Sequence, residues 1–235
     1  MKENFQYTGP AALTEYLKTL ADEPYRDFQY KLILGADNII GVRVPKLRAL
    51  AKQIAKSDWQ AFLKDAQDAS LEEILLQGLV IGYVKMTPDE ALERIAAFVP
   101  KISNWEICDI CCSSFKTAAK DKEKLFAFLQ PYLESEREFD LRFAVIMLMD
   151  YFITEEYIDR VLKIYDEIRH VGYYVKMAVA WALSVCFVKF QDKTMRFLKQ
   201  NSLDDWTNNK DLQKITESYR VDDSMKTVIR GMKRR

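Results

Sequence analysis

The strongest constraint on this chain is a repeat of helix-forming segments at about the length of one helix pair. Leu141-Arg142-Phe143-Ala144-Val145 is echoed by Val175-Lys176-Met177-Ala178-Val179, and each stretch runs on into further apolar residues. Placing Arg142 over Lys176 puts Asp109 and Gln77 at steps of 33 and 32 residues before it. A single helix pair cannot bury its own apolar face, so a period of this length predicts a solenoid in which each pair is covered by its neighbours. Such arrays curve, and one stacked layer of helices offers a concave surface to a long ligand.

Local signals agree with an all-α chain. Among 235 residues there are only 7 Gly and 6 Pro, too few for the many turns of an all-β protein, and 49% of residues are apolar, enough for a sizeable core. Thr87-Pro88-Asp89-Glu90 combines an N-cap, a proline at the first helical position and a glutamate three residues on; Ser70 with Glu73 and Ser135 with Glu138 repeat the capping-box spacing. Helical periodicity predicts helices near 10–21, 24–33, 45–56, 58–67, 71–85, 88–98, 104–117, 121–133, 136–152, 155–169, 172–190, 192–200, 208–218 and 222–232. No low-complexity segment interrupts them. The expected architecture is an α-α superhelix of HEAT-like helical repeats forming one domain over residues 1–235.

Several function classes are disfavoured. The longest near-apolar run, Met177 to Val188, reaches 12 residues, too short to span a bilayer, and Met1-Lys2-Glu3-Asn4 lacks the apolar core of a signal peptide. A cytoplasmic protein without a membrane partner is expected. Cys108 and Cys111 form a C-x-x-C pair with Cys112 beside them, but zinc needs four ligands and the sole histidine, His170, is distant. Small core thiols are the better reading, with neither metal nor cofactor expected. No glycine-rich phosphate loop is present. The formal net charge is zero, yet residues 171–235 carry 13 basic and 7 acidic side chains, a local excess of +6 that can attract a polyanion.

Against this background four residues stand out. Trp105 and Asp109 are four apart, so on a helix an indole and a carboxylate share one face. Arg142 follows Trp105 by 37 residues, and Trp181 follows Arg142 by 39, again close to one repeat. Singly, each has a bland explanation as core or solvated helix surface. Charges set in surroundings as apolar as Ile107-Cys108-Asp109-Ile110-Cys111-Cys112 and Arg142-Phe143-Ala144-Val145-Ile146, however, usually have a partner or a task.

Gly41-Val42-Arg43-Val44-Pro45-Lys46-Leu47-Arg48, Asn104-Trp105 with Asp109, Glu138-Phe139-Asp140-Leu141-Arg142-Phe143 and Tyr173-Tyr174-Val175-Lys176-Met177-Ala178-Val179-Ala180-Trp181 together resemble the AlkD-type DNA alkylation repair proteins. These are HEAT-like-repeat DNA glycosylases, and the likeness runs from about residue 25 to the end. It implies excision of N3- and N7-alkylated purines from double-stranded DNA, without a pocket for a flipped base. It also implies that Asp109, Trp105 and Trp181 act at the lesion, with Asp109 stabilising an oxocarbenium-like sugar, and that Arg142 holds a backbone phosphate. Lys176, Lys210 and Lys214 are further candidates for DNA contact, the last two as a basic edge at helical spacing. A monomer is the expected state. Two rival readings are a catalytically silent family member that binds damaged or branched DNA, and a helical-repeat scaffold for proteins.

Overall fold

The computed structural model describes residues 5–33 and 35–234. The Met1-Lys2-Glu3-Asn4 opening and Arg235, the last residue of the basic tail, lie outside them. Among the described residues there are fourteen α-helices, two short 3₁₀ turns and no strand. The chain sorts into two compact units, residues 1–128 and 129–235.

Unit 1 contains α1 (Pro10–Thr19), α2 (Glu23–Leu32), α3 (Val44–Ile54), α4 (Trp59–Asp65), α5 (Leu71–Tyr83), α6 (Pro88–Phe98) and α7 (Trp105–Cys112). The boundary falls inside α8 (Lys122–Leu133). Unit 2 contains α9 (Glu138–Tyr151), α10 (Ile158–Glu167), α11 (Tyr173–Lys189), α12 (Gln191–Gln200), α13 (Asp205–Glu217) and α14 (Asp223–Arg230). Each helix answers one expected from the periodicity. In unit 1, α3 packs on α5 and α5 on α7; in unit 2, α9 packs on α11 and α11 on α13. Contacts between helices two apart in the chain are what a stacked helical-repeat solenoid requires, and the fold class is therefore the expected all-α repeat array.

Burial separates two kinds of helix. In α9 every residue from Asp140 to Met149 is buried, and α5 and α11 are nearly as apolar all round, as suits helices covered on several sides. By contrast α10 buries only Ile158, Val161, Leu162 and Tyr165, a single stripe at the i, i+3, i+4, i+7 spacing. Full burial of a side chain such as Phe143 or Leu148 contributes roughly 1.5–3 kcal/mol.

The helix starts are capped as expected in part. Thr87 and Glu90 form a complete capping box, the Glu90 carboxylate accepting the Thr87 N–H at 2.8 Å. Ser70 accepts the Glu73 N–H, but the Glu73 carboxylate accepts from Ala69 and from the Thr14 hydroxyl instead. The box expected between Ser135 and Glu138 does not form. The helix begins at Glu138 itself, and Glu138 Oε1 accepts the Tyr174 N–H at 2.6 Å in the first turn of α11. Gly172 makes this approach feasible, since a Cβ there would lie 2.6 Å from the Glu138 carboxyl carbon.

One buried group in unit 2 has no counterpart in the sequence analysis. Asp211 on α13 has 0% exposure, and neither carboxylate oxygen has a hydrogen-bond partner. Neighbouring Leu212 and Ile215 belong to a core cluster with Phe187, Leu198, Val221 and Ile229. Burial alone pushes the Asp211 carboxyl well above the usual carboxylate range, which favours its neutral form in the fold. The fold therefore binds a proton that the unfolded chain has already lost. Its stabilising effect is complete below the unfolded carboxylate pKa and fades as pH climbs toward the folded one. Asp211→Asn removes this dependence: thermal melts should show a gap in favour of the variant that widens from acid to neutral pH, and a gap of constant size would contradict the assignment.

Candidate functional site

Trp105 and Asp109 sit on the open stripe of α7. Both are half-buried, while Glu106, Ile107, Cys108, Cys111 and Cys112 face the packed side. The helix starts where Asn104 accepts the Ile107 N–H at 3.0 Å through its side chain. It ends at Cys112, earlier than the periodicity suggested, and Arg48 binds the end of the helix and the turn that follows. That guanidinium donates to Ser114 Oγ at 2.9 Å, Ser113 Oγ at 3.2 Å and the Ile110 carbonyl at 3.4 Å. Carbonyls left open at a helix C-terminus favour a cation there.

Polar groups also fix the other side of α7. Gln29 Nε2 reaches both oxygens of the buried Glu106 carboxylate at 2.7 Å, tying α2 to the first turn. Burial raises the Glu106 pKa, the Gln29 bond opposes the rise and the nearby Glu72 carboxylate adds to it. Glu72 in turn accepts the backbone N–H groups of Ile40, Gly41 and Val42 at 3.0, 2.6 and 3.0 Å. These bonds anchor the Gly41-Val42-Arg43-Val44-Pro45 segment that opens α3. Gly41 lies at φ 95° with Arg26 Cβ 2.6 Å from where its own Cβ would be, so a side chain is excluded there on both counts.

The three cysteines of α7 are buried and form no disulfide. Burial raises the Cys111 pKa well above the usual thiol range, and Cys111 Sγ packs over the Leu75 carbonyl at 3.9 Å. Among the described residues no cluster of His, Cys, Asp or Glu is arranged to hold a metal ion, and no helix is long and apolar enough to cross a membrane. His170 serves a turn: it accepts the Gly172 N–H at Nδ1 and contacts the Glu136 carbonyl through Nε2 at 3.1 Å.

Unit 2 carries the remaining sequence candidates. Arg142 is 5% exposed, and its Nη1 donates to the Tyr174 carbonyl at 2.7 Å. Trp181, which composition alone would place in the core, is 36% exposed amid the buried residues of α11. Lys176 pairs with Asp204 at 3.2 Å. Asp204 is partly desolvated, which would raise its pKa, but the Thr207 hydroxyl and N–H together with Lys176 hold it below the usual range. Lys210 bonds Gln213 at 2.9 Å and lies 5.7 Å from the centre of the Trp206 ring, and Lys214 follows one turn on.

The structure adds an aromatic row that the sequence analysis did not single out. Phe139, Tyr174, Tyr173 and Trp206 follow one another with ring centres 5.3, 5.3 and 5.7 Å apart, across the first turns of α9, α11 and α13. Tyr173 and Trp206 are exposed. The only sequence signal was their shared place at the second residue or so of successive repeat helices.

A model of the family described as DNA alkylation repair enzyme matches residues 8–219. The chain belongs to that family. No curated protein matches it. Family membership gives the chain an enzymatic role in DNA repair, with DNA as its substrate.

The seat of α7 depends on two glycines. A Cβ at Gly78 would lie 2.7 Å from Phe98 and closer still to Cys111 Sγ; one at Gly82 would lie 2.6 Å from Ser114 Cβ and 2.7 Å from its carbonyl oxygen. Gly78→Ala should destabilise the protein by about 1–3 kcal/mol in chemical denaturation, the usual cost of overpacking a filled core. A neutral result would show that α7 shifts freely.

Proposed function

We propose that the chain is a monofunctional DNA glycosylase that releases N3- and N7-alkylated purines from duplex DNA, with Asp109 as its central catalytic group. The observation that carries this reading is the presentation of Asp109 and Trp105 together on the open stripe of a helix fixed at both ends. A carboxylate held in place acts more strongly on a developing charge than a mobile one, because little reorganisation accompanies the reaction.

The chemistry suits these residues. A purine alkylated at N3 or N7 is cationic and is already a good leaving group. The N-glycosidic bond breaks, its electron pair goes to the departing base, and C1′ of the sugar becomes oxocarbenium-like. Asp109 stabilises that charge and orients the water that adds to C1′ and gives up a proton, as acids do in glycoside hydrolysis. The products are the free base and an abasic sugar. Acid assistance from a metal ion is not required when the leaving group carries its own positive charge.

Trp105 and Trp181 present flat faces to deoxyribose and to the cationic base, which an indole attracts. Arg142 supplies a fixed guanidinium for a backbone phosphate; its burial makes it a stationary point instead of a swinging arm. Lys176, Lys210 and Lys214 add positive charge along α11 and α13, and a phosphate replaces Asp204 as the partner of Lys176. The two units are read as parts of one HEAT-like DNA-binding domain that works as a monomer without a base-flipping pocket. Its buried cysteines, which form no disulfide, suit a reducing compartment such as the cytoplasm.

Release of 7-methylguanine and 3-methyladenine from methylated duplex DNA tests the reading. Wild type should exceed spontaneous loss, and Asp109→Asn should lower the rate by roughly 10²-fold or more, as for loss of one preorganised electrostatic group. If wild type releases no base while still binding DNA, the chain is instead a silent member of its family; equal release by the two proteins removes only Asp109 from its role. Arg142→Ala should weaken binding to all duplexes alike and reduce the slope of log affinity against log salt by about 0.9 for one phosphate contact. An unchanged slope would contradict the phosphate role.

A further inference from the structure

An open hollow of about 520 Å³ lies in unit 1, where α3 and α5 end and α4 begins. It falls within the range of small-molecule clefts. Lys52, Lys56 and Lys85 line it together with Trp59 and Tyr83, and no carboxylate does. Lys52 lies in the last turn of α3, and Lys56 and Lys85 lie just beyond the ends of α3 and α5, where lysines ordinarily complement exposed carbonyls. Here none of the three ammonium groups hydrogen-bonds a carbonyl or pairs with an acid among the described residues, whereas Lys18, Lys101, Lys124 and Lys193 all have acidic partners. The nearest acid in sequence, Asp58, is engaged in capping α4 through the Ala61 N–H.

The aromatic rings are held. The Tyr83 hydroxyl accepts from Arg48 at 2.9 Å, and Lys52 Nζ stands 5.2 Å from the centre of its ring. Arg94, which does not line the hollow, stacks on Trp59 at 4.5 Å. Lys52, Lys56 and Lys85 are solvent-exposed cations around one hollow, and an anion seated in it would be attracted by all three. Fixed rings beside those cations suit a flat heterocycle.

We propose that this hollow binds a nucleotide, its phosphate against Lys52, Lys56 and Lys85 and its base against Trp59 and Tyr83. The shared chemistry of phosphate and base comes from a free mononucleotide or from a nucleotide within a DNA strand. The site lies wholly within unit 1 and stands whether or not Asp109 supports base excision.

Amide NMR of the full chain separates the possibilities. AMP should shift residues 52–59 and 83–85 saturably, adenosine should shift them far less, and Lys56→Glu with Lys85→Glu should weaken AMP by about tenfold or more with the melting temperature unchanged. If the charge reversals disturb the melt, Lys56→Gln with Lys85→Gln carries the same comparison. A 5′-phosphorylated trinucleotide that binds more tightly than AMP assigns the site to a strand, and AMP binding as tightly or more so assigns it to the free nucleotide. Shifts that miss these residues, equal binding of adenosine and AMP, or an affinity untouched by the lysine substitutions would overturn the proposal.

Discussion

The close approach of α7 to α5 is the constraint on which the candidate chemistry rests. Gly78 and Gly82 remove two side chains from the face of α5, and the space is filled by Cys111, Phe98 and Ser114. Packed interiors deform little, so the depth of this contact decides how far the opposite stripe of α7, with Trp105 and Asp109, stands out from the surface. Polar bonds then set rotation and register. Asn104 and Glu106 act on the first turn, and Arg48 on the last. An eight-residue helix is too short to hold itself in water, and its order comes from these neighbours.

Much of this was readable in the sequence, for identifiable reasons. Long segments at helical period gave all fourteen helices, and the echo between the Arg142 and Lys176 segments gave the repeat packing of α9 on α11. Gly78 and Gly82, four residues apart on α5, share one helical face, and that face is where Cys111, Phe98 and Ser114 pack close. Spacing alone did not reveal where carboxylates would go. Glu138 has the spacing of a capping box, yet its side chain serves the next repeat helix, because Gly172 leaves room there and the unpaired N–H of Tyr174 is a better-placed donor. Nothing in the spacing marks Asp211; only the packing of α13 shows it sealed in the core.

Electrostatics divides the site residues by mobility. Trp181 and the exposed pair Tyr173 and Trp206 offer surface directly. Lys176 starts from an existing ion pair, so any phosphate it meets must compete with Asp204. That competition moderates affinity, and acids outside residues 171–235 offset part of that segment's excess of +6, as where Lys193 pairs with Glu155 and Asp159. A repair enzyme that must leave undamaged DNA quickly gains from such moderation, because weak uniform contacts shorten each encounter.

The backbone of Tyr174 is held on both sides by α9: Glu138 accepts its N–H and Arg142 donates to its carbonyl. Helical repeats usually communicate through apolar side chains, which tolerate sliding. Here one repeat holds the main chain of the next by two short polar bonds, at 2.6 and 2.7 Å. The joint fixes the first turn of α11 against α9, and the adjoining rings of Tyr173 and Tyr174 are carried by that fixed turn.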